Sequence, residues 1–263
     1  MKPPGATLSG KRVLVTRPSD QAEGLARRIR DAGGEPVCVP AIEIRELADP
    51  SAFHAVADRL ELFDLAVFVS RNAVRSGLEM LRARRGARPW PARLRTATVG
   101  QGSREELAAQ GFADVLAPAT GSVPTDSEAL LALPELANVR GRRILIFRGE
   151  GGRELLDREL AVRGASVEHA ACYRRAVPEA ARMREAWAAG MDAVTVSSAE
   201  GLANVLAMLG EGAMRLLPGV PLFVPHPRVA AEARQRGLEQ VIVAGPGDAE
   251  MAAALVAHFG AAR

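Results

Sequence analysis

Arginine is the side chain best suited to grip an anion, because its planar fork meets a carboxylate or phosphate with two hydrogen bonds. It stands at matching places in two similar runs of this chain. Arg17 ends Arg12-Val13-Leu14-Val15-Thr16-Arg17, and Arg148 ends Arg143-Ile144-Leu145-Ile146-Phe147-Arg148, 131 residues further on. Each could meet an anionic ligand or close a salt bridge inside its own domain. Arg153 falls in the first turn of an expected helix, where a cation opposes the macrodipole unless an anion is near. Hydroxyl and amide groups recur as well. Val67-Phe68-Val69-Ser70, followed by Arg71-Asn72, returns as Val194-Thr195-Val196-Ser197, followed by Ser198. Such serines can donate to substrate carboxylates or merely cap the helix behind them. Ser103 lies in the turn after Val99-Gly100, and in the second copy His226-Pro227-Arg228 takes that place without any hydroxyl. His226 and Arg228 could bind carboxylates, although a histidine between prolines is more often structural. The run Arg82, Arg84, Arg85, Arg88 reads as solvated surface. Gly149-Glu150-Gly151-Gly152 lacks the Walker lysine and the dinucleotide glycine spacing, so a nucleotide loop is rejected.

Each of these residues follows a short apolar strand and precedes an amphipathic helix. Val13 to Val15 leads to a helix with Ala22, Leu25, Ala26 and Ile29 on one stripe, opened by an Asp20–Glu23 capping box and closed at Gly33-Gly34. Its twin runs from Ile144-Leu145-Ile146 through Leu156 and Leu160 to Gly164. The other strands are Leu65 to Val69, Ala97 to Val99 and Val115-Leu116, echoed by Val194 to Val196, Leu222 to Val224 and Val241 to Val243. A fainter echo sets Asp126-Ser127-Glu128 against Asp248-Ala249-Glu250. Strands and helices alternating in this way predict an α/β protein: two similar parallel-sheet domains with helices on both faces. The repeat is too long for a solenoid, and two such domains are expected to face each other across a cleft. Ligands of such sheets bind beyond the carboxyl ends of the strands. There the helix N-termini present free N–H groups to anions. Six such turns, three per copy, would suit a ligand with many anionic groups.

The bulk properties exclude other classes. Hydrophobic content of 48% and charged content of 25% are those of a globular chain. No apolar run approaches the roughly 20 residues of a membrane span. Met1 to Gly5 lacks the apolar core of a signal peptide, so a cytoplasmic location is expected. A net charge of +3 and 4% aromatics argue against a nucleic-acid partner. Four histidines and two cysteines, Cys38 and Cys172, show neither metal-ligand spacing nor a disulfide framework.

The blocks from Val13 to Pro18, Phe68 to Val74 and Val99-Gly100 to Gly111, with Arg148 to Leu156, Cys172-Tyr173-Arg174 and His226-Pro227-Arg228, together resemble the uroporphyrinogen-III synthase family. The likeness runs in order from about residue 12 to 243. It implies flavodoxin-like domains joined by a two-stranded connector. One domain would be discontinuous, 1–36 with 174–263, and the other would be 43–165. The connectors would be 37–42 and 166–173. The implied reaction closes linear hydroxymethylbilane to uroporphyrinogen III, losing water and inverting the last pyrrole ring, in tetrapyrrole (haem) biosynthesis. The family implies no metal and no organic cofactor. Tyr173, the only tyrosine, matches the family position proposed to assist departure of the hydroxyl. Arg17, Ser70, Asn72, Ser103, Arg148, Arg153, Ser197, Ser198, His226 and Arg228 would then bind the eight carboxylates of the substrate. The expected enzyme is a monomer, touching at most the preceding pathway enzyme in passing. The competing expectation is a two-lobed cytosolic protein that binds a small polyanion without chemistry. A flavin or nucleotide module on the same sheet is disfavoured by the missing phosphate loop and the few aromatics.

Overall fold

Eleven short strands form two sheets in the computed structural model, which describes residues 8–119, 127–151 and 154–260. In chain order they are β1 (Arg12–Val15), β2 (Glu35–Cys38), β3 (Glu43–Arg45), β4 (Leu65–Phe68), β5 (Arg95–Thr98), β6 (Val115–Leu116), β7 (Arg143–Gly149), β8 (Ser166–Ala176), β9 (Ala193–Thr195), β10 (Leu222–Val224) and β11 (Val241–Val243). Contacts divide the chain into two units, Met1–Glu43 with Ala176–Arg263, and Ile44–Arg175.

The first unit holds the sheet β11-β10-β9-β1-β2. Numbered by their order within the unit, its strands run 2-1-3-4-5, the flavodoxin-like doubly wound order. All its strand pairs are parallel. Side chains alternate across the sheet, as the two-residue period of a strand demands. Val13, Val15, Ala193 and Phe223 pack on one face with Leu25 and Ile29 of the helix Ser19–Asp31 and Leu255 of the helix Asp248–Gly260. Leu14, Val194 and Val224 pack on the other, with Leu202, Val205 and Val229. Both faces are dry along the central strands β1, β9 and β10, which is why these read as mainly apolar runs. Each fully buried Val, Leu or Phe is worth roughly 1.5–3 kcal/mol.

The second unit holds the sheet β3-β8-β7-β4-β5-β6. Started from β7, five of its strands repeat the same 2-1-3-4-5 order, with β3 added beyond β8. Phe68 of β4 stacks on Phe147 of β7 at 4.4 Å between ring centroids, and Val67, Ile144 and Ile146 fill the opposite face. The equivalent glycines Gly33 and Gly164, with φ of 84° and 87°, end matching helices in a left-handed turn that a side chain would strain.

Several expectations are corrected. The helix after β1 is capped by Pro18 with no side-chain hydrogen bond, so the Asp20–Glu23 capping box does not form; Glu23 pairs with Arg30 instead. The strands expected to end at Val69, Val99 and Val196 end one residue earlier. Apart from these corrections, the segments expected as a two-stranded connector, 37–42 and 166–173, run into strands of the two sheets. β2 runs to Cys38, and the Val39 and Ala41 N–H groups continue the ladder to Val15 O and Thr16 O. Residues 166–173 lie within β8, in register with β7 from Ser166 to Tyr173. β2 and β8 are therefore equivalent strands, each flanking the first strand of its copy. Cys38 and Cys172 are both free thiols. Among the described residues no helix is long and apolar enough to cross a membrane.

Candidate active site

Strand order turns back on itself between β1 and β9 in the first unit and between β7 and β4 in the second, and such switch points hold the ligand crevices of open parallel sheets. Among the described residues, Arg17, Ser70, Asn72, Arg148, Ser197 and Ser198 lie at or just past the ends of these strands, while Ser103, His226 and Arg228 follow β5 and β10 and Tyr173 lies in β8. In the second unit Ser70 caps the helix Arg71–Arg85, its Oγ accepting from Ala73 N at 3.0 Å. The same Oγ lies 3.2 Å from the Tyr173 hydroxyl, and either atom can be the donor.

Tyr173 owes its place to a bulge. Arg148 pairs with Ala171, but Gly149 pairs with Tyr173, so Cys172 is the extra residue of β8. A bulge re-aims a side chain that strict alternation would send elsewhere. Here Cys172 and Tyr173 join one core cluster with Phe68 and Phe147. The Tyr173 ring lies flush on Gly149, where an added Cβ would stand 2.7 Å from Cε2. Glycine is required there for close approach. The Cys172 thiol donates to Arg148 O at 3.3 Å, and burial pushes its pKa up to about 12.

Tyr173 and Arg148 line one cavity of about 180 Å³, together with Ser127, Gly149, Gly151, Asp157 and Arg175. Arg148 is held on two sides. Its Nε donates to Gly151 O at 3.0 Å and its Nη1 to Asp157 Oδ2 at 3.2 Å. Arg17, its equivalent in the first unit, has Nη1 2.6 Å from Asp248 Oδ1. The internal salt bridges weighed for both arginines thus form, and any anionic ligand would have to share or displace an aspartate.

Ser198, not Ser197, caps the helix Ala199–Leu209, accepting from Gly201 N at 3.0 Å. Ser197 is exposed and Asn72 half-buried. Ser103 is buried in the helix Gln101–Ala109, two residues past its first residue. His226 caps the helix Pro227–Gln235 by position alone, without a side-chain bond, and both His226 and Arg228 are exposed. Arg153 lies outside the described residues. The second unit therefore brings Ser70, Tyr173 and Arg148 together, with Asn72 on the Ser70 turn. The first sets Arg17, Ser197, Ser198, His226 and Arg228 at the ends of the neighbouring strands β1, β9 and β10. No group of His, Cys, Asp and Glu suited to a metal ion occurs among the described residues.

Asp157, Asp248 and Arg175 were not singled out from the sequence. For Asp248 a signal existed, the echo of Asp126 at the start of an acidic triplet. Arg175 continues the Cys172-Tyr173-Arg174 stretch by one residue. Nothing in the spacing marks Asp157.

The family model described as uroporphyrinogen-III synthase HemD matches residues 23–253. The uroporphyrinogen-III synthase of Salmonella typhimurium is 34% identical over 246 residues, covering 90% of this chain and 96% of that relative. That of Escherichia coli K12 is 32% identical over 243 residues, with the same shares covered. A solved structure of a mutant uroporphyrinogen III synthase from the extreme thermophile Thermus thermophilus aligns with a TM-score of 0.62 at 17% identity, covering 96% of this chain and 99% of that one. At that identity the solved structure speaks for the fold alone.

Proposed function

The chain belongs to the uroporphyrinogen-III synthase family, and from that membership we propose how its strand-end residues carry out the cyclisation. The enzyme is a cyclising hydro-lyase of tetrapyrrole biosynthesis. It takes hydroxymethylbilane, releases the terminal hydroxyl as water, inverts the last pyrrole ring and closes the macrocycle. The assignment rests on the match over residues 23–253. Departure of the hydroxyl leaves an azafulvene-type cation stabilised by the pyrrole nitrogen, so the chemistry asks for modest acid assistance and no organic cofactor. What remains is to hold a flexible chain in the ring-inverting geometry, a positioning effect.

Tyr173 gives the leaving hydroxyl a proton or a hydrogen bond, with Ser70 orienting the phenol. The contact between the buried Tyr173 and half-buried Ser70 hydroxyls, beside the Arg148 cavity, supports this role. Arg148, Asn72, Ser103 and Arg153 in one unit, and Arg17, Ser197, Ser198, His226 and Arg228 in the other, hold substrate carboxylates. The helix N-termini behind them contribute backbone N–H groups. The enzyme works as a monomer in the cytoplasm and meets the preceding pathway enzyme only transiently.

The test supplies the purified protein with freshly generated hydroxymethylbilane, oxidises the products to porphyrins and separates the isomers. Type III product is expected. A product of type I alone, the spontaneous isomer, would overturn the assignment.

A further inference from the structure

Asp157 stands between an arginine and a histidine. Its Oδ2 accepts from Arg148 Nη1 at 3.2 Å, and its Oδ1 lies 2.8 Å from His169 Nε2. Yet Oδ1 is buried and accepts no well-directed hydrogen bond. The three residues come from three elements. Arg148 lies on β7, Asp157 on the helix Leu155–Val162, and His169 on β8. His169 stands opposite Ile146, and Arg148 lies two residues beyond Ile146. The two-residue period of strands puts Arg148 and His169 on one face, the face that Leu156 and Leu160 of that helix help to cover.

The arginine and aspartate side chains are only 12% and 17% exposed, whereas His169 is 44% exposed and open to solvent protons. His169 lines a cavity of about 700 Å³, and the other charged groups facing it there are Arg148 and Glu150 from β7 and its turn, and Glu154, Asp157 and Arg158 from the helix side. On its other side Arg148 borders the smaller cavity with Tyr173.

We propose that Asp157 and His169 are positioning residues that set how readily Arg148 gives itself to a substrate carboxylate, with the proton on His169 deciding which cation Asp157 holds. With His169 neutral, Asp157 is held to Arg148, and a substrate carboxylate must compete with Asp157 for that arginine. With His169 protonated, Asp157 has a second counter-ion whose nitrogen is already within contact distance, and Arg148 is released towards the Tyr173 cavity. Binding is reciprocal in such linkage: substrate on Arg148 favours the proton on His169. Histidine is a side-chain type that can carry or lack a proton near neutral pH, so pH is the variable to change. The inference rests on the cyclisation assigned above.

Steady-state kinetics of type III formation between pH 6.5 and 8.5 test it, with hydroxymethylbilane as substrate and wild-type, His169→Gln and Asp157→Asn enzymes. In the wild type KM is expected to rise about threefold with pH, the size of one partly exposed ion pair, while kcat carries no such trend. His169→Gln should hold KM at the wild-type high-pH value throughout. Asp157→Asn, lacking the competing charge, should hold it near the wild-type low-pH value. Asp157→Glu should restore the pH dependence. A His169→Gln enzyme that keeps the wild-type KM profile would overturn the proposal, as would two variants that shift KM the same way. His169 is partly exposed, so that variant keeps the test open if Asp157→Asn fails to fold. Loss of type III product from the wild type would instead overturn the assignment of function.

Discussion

Gly149 makes the role of Tyr173 testable without touching the phenol. A methyl group at Gly149 would lie 2.7 Å from Tyr173 Cε2 and 2.8 Å from Cζ. Ordinary contact begins at 3.4 Å, so the ring must retreat by about 0.7 Å. It has little room to do so, because Tyr173 is 4% exposed and clusters with Phe68, Phe147 and Cys172. Overpacking of this kind costs about 1–3 kcal/mol of stability. The hydroxyl moves with the ring, and its 3.2 Å contact with Ser70 Oγ stretches towards about 4 Å, beyond a hydrogen bond. A displacement near 1 Å at a positioned group costs on the order of 10²-fold in rate. Gly149→Ala is therefore expected to lower kcat for type III product by about 10- to 100-fold while the protein still melts cooperatively. The assay is isomer-resolved turnover, run as a double-mutant cycle with Tyr173→Phe. If the glycine acts through the phenol, Gly149→Ala adds little to the loss already caused by Tyr173→Phe. Wild-type turnover in Gly149→Ala, or fully additive losses, would refute the reasoning. Unchanged turnover in Tyr173→Phe would remove Tyr173 from proton donation and leave the positioning argument standing.

The capping bond from Ser198 Oγ to Gly201 N should make Ser198→Ala less stable by about 1 kcal/mol in urea unfolding; an unmoved midpoint would show the cap to be idle. Glu168 is held below the usual carboxylate range, first by its hydrogen bonds from Arg59 and then, against the cost of burial, by Arg143. A depressed carboxyl stabilises the fold above its unfolded value of about 4.3 and loses that contribution as pH falls through the folded one. Glu168→Gln should thus cost about 1 kcal/mol at pH 7, a figure kept small by solvent screening of the partly exposed partners. The gap to wild type should narrow as the pH falls below that unfolded value; a gap that stays constant would contradict the ion-pair account. Burial raises both thiols, but Cys172 far more, to about 12, whereas Cys38 is only partly covered. Iodoacetamide at about pH 8 should label Cys38 before Cys172 by more than about tenfold, and equal rates would show the Cys172 cluster to be open.

The parts of the fold legible in the sequence were those set by local periodicity. β4 and β10 are dry on both faces and wholly apolar, and β1, β7 and β9 carry apolar cores at Val13–Val15, Ile144–Phe147 and Ala193-Val194. β2 and β8 were less legible. Glu35–Cys38 is only half-buried, and β8 alternates buried and exposed residues over a length that local pattern does not bound. Their membership of the sheets depends on β1 and β7, which are distant information. The same limit applied to the site. The turns holding Arg17, Ser70, Arg148 and Ser198 could be read from strand-to-helix junctions. That Asp157 and Asp248 pair with these arginines could not, since each pairing joins separate elements. The bulge at Cys172 was equally hidden, because a single extra residue leaves no compositional mark.

The order of the strands has a consequence for biosynthesis. β1 leaves the ribosome before β9, yet Val13 pairs with Ala193 of β9, which is made much later. At about 5–20 residues per second, roughly 10–35 seconds separate the two. In that interval every residue of Ile44–Arg175 is made, so the unit begun second is the first to be completed. The apolar strand Val13-Leu14-Val15 must wait, its open edge a template for wrong partners. Newborn chains of this protein are thus exposed to aggregation, and to chaperones, through a strand made long before its partner.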